Sequence, residues 1–306
     1  MTEEKRRSIW FWLLLSGGIF AAFVAVVALL GYAAMRSMSS DDSSGFGNMG
    51  GNIAVIDIDG VILSADTTID QLRKFDDDSS VKAIILHINS PGGAAAPSQE
   101  IYHEVLRIRD EKRKPVIASI ESVGASGAYY IAAGTNKIYA NDASLVGSIG
   151  VIMEWTNYGD LLKWAKLKPE VIHAGTLKDA GDPSREMTPE EHVYFQNLVD
   201  NMYGQFVADV ARGRNVDVNK VKAMATGQVW TGQEALPLHL IDQEGGFRDA
   251  VLATAKSVGI TGEPNIVRPR VRHRGLFEVL TSDADDLFPN PAQLLEKHPG
   301  FYFLWR

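Results

Sequence analysis

Cysteine is absent from this chain of 306 residues. Disulfide bonds, thiolate nucleophiles and cysteine-ligated zinc are therefore excluded together. The metalloprotease pattern H-E-x-x-H and the phosphate-binding P-loop pattern are also missing, and the acidic stretch at residues 76–78 is interpreted as a solvated loop. The sequence thus implies no cofactor and no metal ion.

Basic clusters are also missing from most of the chain. The net charge is −8, the isoelectric point is near 5.4, and no Lys/Arg-rich block follows the first few positions. A nucleic-acid-binding protein needs such a basic surface, so nucleic acid is not an expected partner. Hydrophobic residues make up 45% of the chain, which is enough for a sizeable packed core.

Charged residues do not occur from residue 8 to residue 35, where the sequence is almost wholly apolar. Because a bilayer core of about 30 Å is crossed by roughly 20 helical residues, residues 8–35 are predicted to form a transmembrane anchor. Basic residues within 1–7 favour a cytoplasmic N-terminus and an extracytoplasmic body at the cell (inner) membrane. A cleaved signal peptide is the alternative, but its apolar region usually has about 7 to 15 residues.

The rest of the chain divides by composition. Residues 36–52 are rich in Ser, Gly and Asp and predict a flexible linker. Residues 53–262 alternate β-branched runs with helical patterns, which predicts an α/β domain with strands buried on both faces. The predicted strands cover residues 53–58, 82–88, 115–120 and 136–141. Prolines interrupt residues 263–306, a C-terminal tail of unknown role that ends in FYFLWR.

Helix signals are clearest in two places. A helix is predicted from Ser98 to Lys114, because apolar residues recur there at helical spacing with charges on the opposite face. Thr188 suits an N-cap and Pro189 suits the first turn, so a long helix is predicted to run to about Arg212. Shorter helices are predicted over residues 217–225, 232–236 and 247–258.

A glycine-rich turn, Asn-Ser-Pro-Gly-Gly at residues 89–93, lies between a predicted buried strand and a predicted helix. Glycine allows positive φ and close approach of a ligand, so this turn can supply the backbone N–H groups of an oxyanion hole. The alternative is an ordinary loop, since Pro and Gly serve any tight turn.

Ser126 is the candidate nucleophile. It lies among small residues soon after the strand predicted at 115–120, where a sharp strand-to-helix turn would lift its hydroxyl to a helix N-terminus. The strict G-x-S-x-G pattern is not met. A packing turn built from small residues is the competing interpretation.

A serine nucleophile needs a base, and seven histidines are available. None has a recognisable arrangement of partners, although His173 lies close in sequence to Lys178, the best alternative base. A lysine at this position is most simply a solvated loop charge. To act as a base, it needs burial that lowers its pKa by several units from about 10.4.

Six segments occur in the same order as in the signal peptide peptidases of peptidase family S49, which this chain resembles. They cover residues 89–93, 121–130, 147–153, 178–179, 183–188 and 227–232. The resemblance extends over roughly residues 53 to 260, and the predicted anchor also matches the family's usual plan. It implies the fold of the Clp protease and crotonase superfamily, an α/β fold of ββα units, preceded here by the anchor.

The resemblance also implies roles for individual residues. Ser126 would attack the scissile carbonyl, and Lys178 would accept its proton and return it to the leaving amine. The backbone N–H groups of Gly93 and Gly127 would bind the oxyanion. Ser148 would orient the lysine amine, unless it is only a turn residue.

The family further implies a homo-oligomer in which neighbouring subunits contribute the serine and the lysine of one site. The implied substrates are hydrophobic peptides, including signal-peptide remnants at the lipid bilayer. His239 stands where the family commonly has glycine, which affects a helix end and not the dyad. Two other functions stay open: an acyl-CoA enzyme of the crotonase type, and an inactive membrane scaffold on the same fold.

Overall fold

Strands and helices alternate along the residues that this computed structural model describes, which are 52–112, 114–269 and 300–305. These residues belong to one compact unit, Gly50–Arg306. The strands are β1 (Asn52–Asp59), β2 (Val81–Ser90), β3 (Gly92–Ala94), β4 (Val116–Ala125), β5 (Lys137–Ala140), β6 (Leu145–Gly147), β7 (Ile152–Glu154), β8 (Val229–Thr231), β9 (Gln243–Glu244), β10 (Asn265–Val267) and β11 (Gly300–Leu304). The helices are α1 (Asp66–Asp77), α2 (Ala95–Arg107), α3 (Gly127–Ala133), α4 (Gly159–Trp164), α5 (Pro189–Arg214), α6 (Val218–Met224), α7 (Gly232–Ala235) and α8 (Phe247–Ser257).

The main sheet has eight strands, six of which follow the order β10-β1-β2-β4-β5-β9 with parallel neighbours. The four strands predicted from the sequence are confirmed as β1, β2, β4 and β5, which form its centre. β6 pairs in parallel with the end of β4, and β8 pairs antiparallel with β6. Because the carboxyl ends of parallel strands meet at one edge of a sheet, the turns after β2 and β4 come together there.

Both faces of this sheet are covered by helices. Ile84 and Ile85 of β2 are both fully buried, although successive side chains of a strand point to opposite faces. One face packs against α1, α2, α3 and α5, and the other against α8. Burial on both faces explains why the central strands are continuous apolar runs.

The two strongest helix predictions are confirmed with small changes at the ends. α5 begins at Pro189 after a capping box, in which Glu191 N donates to Thr188 Oγ1 at 3.2 Å and Thr188 N donates to Glu191 Oε2 at 2.8 Å. α2 begins at Ala95, three residues before the predicted start, and continues as a π-helix over Ile108–Lys112.

A second, three-stranded sheet lies beside the turn after β2. In it β11 runs between β3 and β7 and is antiparallel to both. The register places Phe303 opposite Gly93 and Leu304 opposite Gly92. β11 therefore brings the C-terminal tail, to which the sequence assigned no role, into contact with the glycine-rich turn.

The architecture is a mixed α/β fold. β2, β3 and α2 follow one another as a ββα unit, which is consistent with the Clp protease and crotonase fold that the resemblance implies. The predicted anchor, residues 8–35, lies outside the described residues. Among the residues that are described, no helix combines the length and the apolar character needed to cross a membrane.

Candidate active site

Ser126 occupies the sharp turn that connects β4 to α3. Its backbone has φ 54° and ψ −116°, a conformation that costs a non-glycine residue on the order of 1–3 kcal/mol. Two hydrogen bonds hold the turn: Ser126 N donates to Gly147 O at 2.7 Å, and Tyr130 N donates to Ser126 O at 2.8 Å. Ser126 is only 1% exposed. The strand-to-helix turn expected from the sequence is thus present, and surrounding contacts hold its strained backbone.

Gly92 and Gly127 allow backbone segments to approach very closely. Gly92 has φ 99°, and a Cβ atom there would lie 2.1 Å from Phe303 O and 2.7 Å from Gly127 N. A Cβ atom on Gly127 would lie 3.1 Å from Phe303 O and 3.2 Å from Gly93 N. The amide nitrogens of Gly93 and Gly127 therefore lie close to the same carbonyl oxygen.

The ladder between β3 and β11 shows which amide bonds to that oxygen. Trp305 N donates to Pro91 O at 2.8 Å, and hydrogen-bonded pairs alternate with other pairs along an antiparallel ladder. Phe303 lies two residues before Trp305 and opposite Gly93, so these two residues form the next hydrogen-bonded pair. The N–H of Gly93 donates to Phe303 O, and with the amide of Gly127 alongside, the geometry resembles an occupied oxyanion hole.

A cavity of about 730 Å³ lies beside this carbonyl group, and Ser126 and Ser148 both line it. Ser148 has φ 52°, is 6% exposed, and donates its backbone N–H to Gln228 O at 2.8 Å. Residues of α5 and of the loop before β8 complete the wall, among them Val199, Tyr203 and Thr226. The structure thus brings Ser126 and Ser148 to one cavity, with Gly93 and Gly127 at the adjoining turns.

Lys178 lies elsewhere. It is exposed, and it is not among the described residues that line the cavity with Ser126. His173, the histidine nearest to it in sequence, pairs with Asp179 at an Nε2–Oδ1 distance of 3.3 Å and does not line the cavity either. Within one chain, the predicted nucleophile and the predicted base therefore do not line the same cavity.

The loop that carries Lys178 is attached to the start of α5 by ion pairs. Arg185 Nη2 donates to Asp179 Oδ2 at 3.1 Å, and Arg185 Nη1 donates to Glu191 Oε2 at 2.9 Å. The hydrogen bonds that the Arg185 guanidinium donates to Glu191, together with those from Thr188, lower the pKa of Glu191 from its ordinary 4.5 to about 2. Glu191 is also the capping-box residue of α5, so one carboxylate joins the helix end to the lysine loop.

The sequence analysis missed the aromatic pocket next to the oxyanion geometry. Phe303 is 3% exposed, stacks on Tyr130 with ring centroids 5.2 Å apart, and contacts Phe206 at a centroid distance of 4.7 Å. Burial and a hydrogen bond to Asp209 raise the pKa of Tyr130, which keeps its ring uncharged. The aromatic cluster FYFLWR was visible in the sequence, but its location depends on pairing between distant segments.

A buried serine at a strained turn, next to a glycine amide that donates to a peptide carbonyl oxygen, is typical of enzymes that transfer acyl groups. Comparison with known proteins agrees with this class. The model of peptidase family S49 matches residues 108–261. A chain from Synechocystis sp., provisionally named as a protease, is 41% identical over 209 residues, which are 68% of this chain and 75% of that protein.

Two further relatives extend the comparison. A protein from Enterococcus faecium, provisionally named signal peptide peptidase SppA, is 38% identical over 191 residues, covering 62% of this chain and 55% of that protein. The chloroplast serine protease SPPA of Arabidopsis thaliana is 33% identical over 202 residues, covering 66% of this chain and 30% of that protein. The match thus spans less than two thirds of the length of these two relatives. The chain belongs to peptidase family S49.

Proposed function

We propose that this chain is a membrane-anchored serine endopeptidase that cleaves hydrophobic peptides, including signal-peptide remnants, with Ser126 as nucleophile and Lys178 as general base. One observation carries the proposal: the carbonyl group of Phe303, which lies opposite Gly93 in the ladder between β3 and β11, is close to Gly127, the residue that follows Ser126. A scissile carbonyl needs the same surroundings during acyl transfer.

The reaction divides into two steps. Ser126 Oγ attacks the scissile carbonyl carbon while Lys178 accepts the hydroxyl proton, and the N–H groups of Gly93 and Gly127 stabilise the negative oxygen. The lysine then gives its proton to the leaving amine, and the amide bond breaks to leave an acyl-serine. Water, deprotonated by the same lysine, hydrolyses this ester and frees the enzyme.

Lys178 would reach the serine of a neighbouring subunit. The region from α4 to Lys178 exposes several large apolar side chains, which a monomer would leave in water. They are Leu161, Trp164, Leu167, Val171 and Ile172, with exposed fractions from 55% to 101%. An exposed apolar patch of this kind is typical of a protein interface. A second copy of this chain is the partner that would both cover the patch and supply the missing serine.

The proposed substrates fit the backbone around the site. β7 pairs with the first half of an extended segment, Gly300–Tyr302, and β3 pairs with its second half, Tyr302–Leu304, both as antiparallel neighbours. Backbone pairing of this kind binds extended peptides without regard to sequence, so side-chain pockets set the preference. The predicted anchor would hold the site near the bilayer, where the local concentration of membrane-derived peptides is high.

The test is hydrolysis of a fluorogenic hydrophobic peptide by the full chain in detergent. Ser126→Ala and Lys178→Ala should each lower kcat by at least about 10³-fold, and a mixture of the two variants should recover activity if the oligomers exchange subunits. Lys256→Ala, which removes an exposed lysine of α8 outside this patch, serves as the matched control and should keep full activity. Full activity in Lys178→Ala would exclude the dyad, and full activity in Ser126→Ala would exclude the serine mechanism.

A further inference from the structure

The cavity beside Ser126 has a single charged residue among the described residues that form its wall. This residue is Asp200 of α5, which is exposed, and the other described residues of the wall are apolar or uncharged. Val199 and Tyr203 of the same helix also line the cavity. Because residues three and four apart lie on one side of a helix, α5 presents this side to the cavity. One carboxylate thus borders the space into which a substrate bound at Ser126 would extend.

The carboxylate of Asp200 is held by one neighbour. Gln196 lies one helical turn earlier, and its Nε2 donates to Asp200 Oδ1 at 2.8 Å. No Lys, Arg or His among the described residues forms an ion pair with Asp200. Gln196 therefore orients the carboxylate, and the second oxygen, Oδ2, is available to a cation that enters the cavity.

The rest of the wall offers mainly apolar surface. Tyr203 Oη donates to Ala225 O at 2.8 Å, and Thr226 Oγ1 donates to Gln228 Oε1 at 3.1 Å, so both hydroxyls use their protons within the chain. Aliphatic side chains such as that of Val151 line the cavity beside them. The cavity of about 730 Å³ thus suits an apolar peptide segment and adds one carboxylate for a cationic group.

Two cations could meet this carboxylate: a basic side chain of the substrate, or Lys178 of a neighbouring subunit. A general base must be neutral before it accepts a proton, and a carboxylate next to an ammonium group favours the charged form. Asp200 would therefore oppose the role proposed for Lys178 if it paired with that residue. A basic side chain of the substrate carries no such conflict and is the better partner.

We infer that Asp200 is a specificity-determining residue, which selects peptides that carry a lysine or arginine side chain beside an apolar segment. The inference rests on the proposed function, because it takes the cavity of Ser126 as the substrate cleft. Signal peptides combine a positively charged end with an apolar run, so their remnants offer both features. Since Asp200 is exposed, the expected preference is moderate, about three- to tenfold in kcat/KM.

Hydrolysis of matched fluorogenic peptides by the full chain in detergent tests this preference. Each apolar peptide carries arginine, its uncharged analogue citrulline, or glutamate, placed in turn at each position around the scissile bond. For at least one position, wild type should cleave the arginine peptide with a kcat/KM about three- to tenfold above that of the citrulline peptide. Asp200→Asn should bring this ratio to about one, and Asp200→Lys should prefer the glutamate peptide.

Asp70→Asn is the matched control. Asp70 is an exposed carboxylate of α1 that does not line the cavity, so the wild-type ratio should persist in this variant. Raising the salt concentration from about 50 mM to about 500 mM should lower the ratio in wild type, because salt screens an exposed ion pair.

Two results would overturn the inference. One is an arginine-to-citrulline ratio that is the same in wild type and Asp200→Asn at every position. The other is an unchanged ratio together with a pH dependence of kcat that moves to lower pH in Asp200→Asn, since Asp200 would then act on Lys178.

Peptide binding separates this inference from the proposed function. The arginine and citrulline peptides, each with a fluorescent label, are titrated into the full chain carrying Ser126→Ala, with anisotropy as readout. The arginine peptide should bind about three- to tenfold more tightly, and adding Asp200→Asn should remove the difference. If this preference appears but no variant hydrolyses any peptide, the protease function is wrong and the binding role of Asp200 is supported. If hydrolysis depends on Ser126 but neither assay shows a preference for arginine, the function stands and this inference is wrong.

Discussion

Gly92 and Gly127 leave space for the carbonyl oxygen of Phe303, because a Cβ atom on either residue would lie within about 3 Å of that oxygen. Each of them would place a Cβ atom closer to neighbouring atoms than real side chains come. Ser126 shows a different constraint, because the fold holds its backbone at φ 54°, a value that serine rarely adopts. At the scale of single residues, the site thus contains positions at which the backbone geometry disfavours substitution by another residue type.

Gly92→Ala should abolish most of the activity. Its Cβ atom would lie 2.1 Å from the oxygen of the bound carbonyl and 2.7 Å from Gly127 N, and its φ of 99° would strain an alanine. Loss of oxyanion stabilisation typically lowers kcat by about 10²–10³-fold, which steady-state kinetics would detect.

Gly204→Ala is the matched control for this substitution. Gly204 lies in α5, and a Cβ atom there would meet nothing within 4 Å. Activity should be retained, and thermal unfolding should show a gain in stability, since alanine in a helix is favoured over glycine by about 0.5–1 kcal/mol. Full activity of Gly92→Ala would contradict the geometry described for the oxyanion hole.

At the scale of elements, the loop that carries Lys178 and the start of α5 share the same side-chain partners. Thr188 and Glu191 cap the helix, and Arg185 ties the same Glu191 to Asp179, the neighbour of Lys178. Glu191 is 3% exposed, so its carboxylate depends on these partners rather than on water. Disturbing this carboxylate should affect both the helix end and the position of the lysine loop.

The pH dependence of stability should reveal this carboxylate. The folded protein lowers the pKa of Glu191 from 4.5 to about 2, so its stabilising effect is complete above about pH 4.5 and disappears as the pH falls towards 2. The free energies of unfolding that urea titration gives for wild type and Glu191→Gln should therefore differ most near neutral pH. This difference should become smaller below pH 4.5. Glutamine keeps a capping-box side chain, so the comparison isolates the charge.

Glu190→Gln is the control for this measurement. Glu190 belongs to the same first turn of α5 but is exposed, so its replacement should change the free energy of unfolding very little at any pH. If the difference in free energy of unfolding between wild type and Glu191→Gln stays constant from pH 3 to pH 7, the ion pair with Arg185 does not stabilise the fold.

At the scale of the whole molecule, the proposed nucleophile, Ser126, is buried, whereas the proposed base, Lys178, is exposed and does not line the cavity of Ser126. The apolar side chains between α4 and Lys178 are exposed in the same region. Trp164 is 82% exposed and Ile172 is fully exposed, which is unusual for residues of their size. The proposed assembly of several copies would account for both observations at once.

Trp164→Asp should break the proposed assembly and remove activity together. Light scattering of the full chain in detergent should show a lower mass, and peptide hydrolysis should fall in parallel, because a charge in an apolar interface is strongly unfavourable. Val218→Asp places the same charge at an exposed valine of α6 and should change neither property. An active, fully assembled Trp164→Asp protein would exclude this interface.

Several features could be predicted from local sequence because their causes are local. β1, β2, β4 and β5 are buried on both faces and so appear as continuous β-branched runs. Thr188 and Pro189 marked the start of α5 through capping chemistry that involves only neighbouring residues. The small residues around Ser126 likewise predicted the turn that the structure contains. The short strands β3, β6, β7 and β8 carry too few residues for a periodic signal, and the sequence analysis missed them.

The sequence by itself determined the α/β class, the central strands, the main helices and the family, because periodicity, caps and ordered motifs are properties of the chain's own order. Only the tertiary structure decided that Phe303 lies opposite Gly93 and that Lys178 lies outside the cavity of Ser126. Both depend on contacts between segments far apart in the chain, whose pairing is selected by backbone hydrogen bonds and side-chain packing in three dimensions. A local sequence pattern therefore does not predict such pairing.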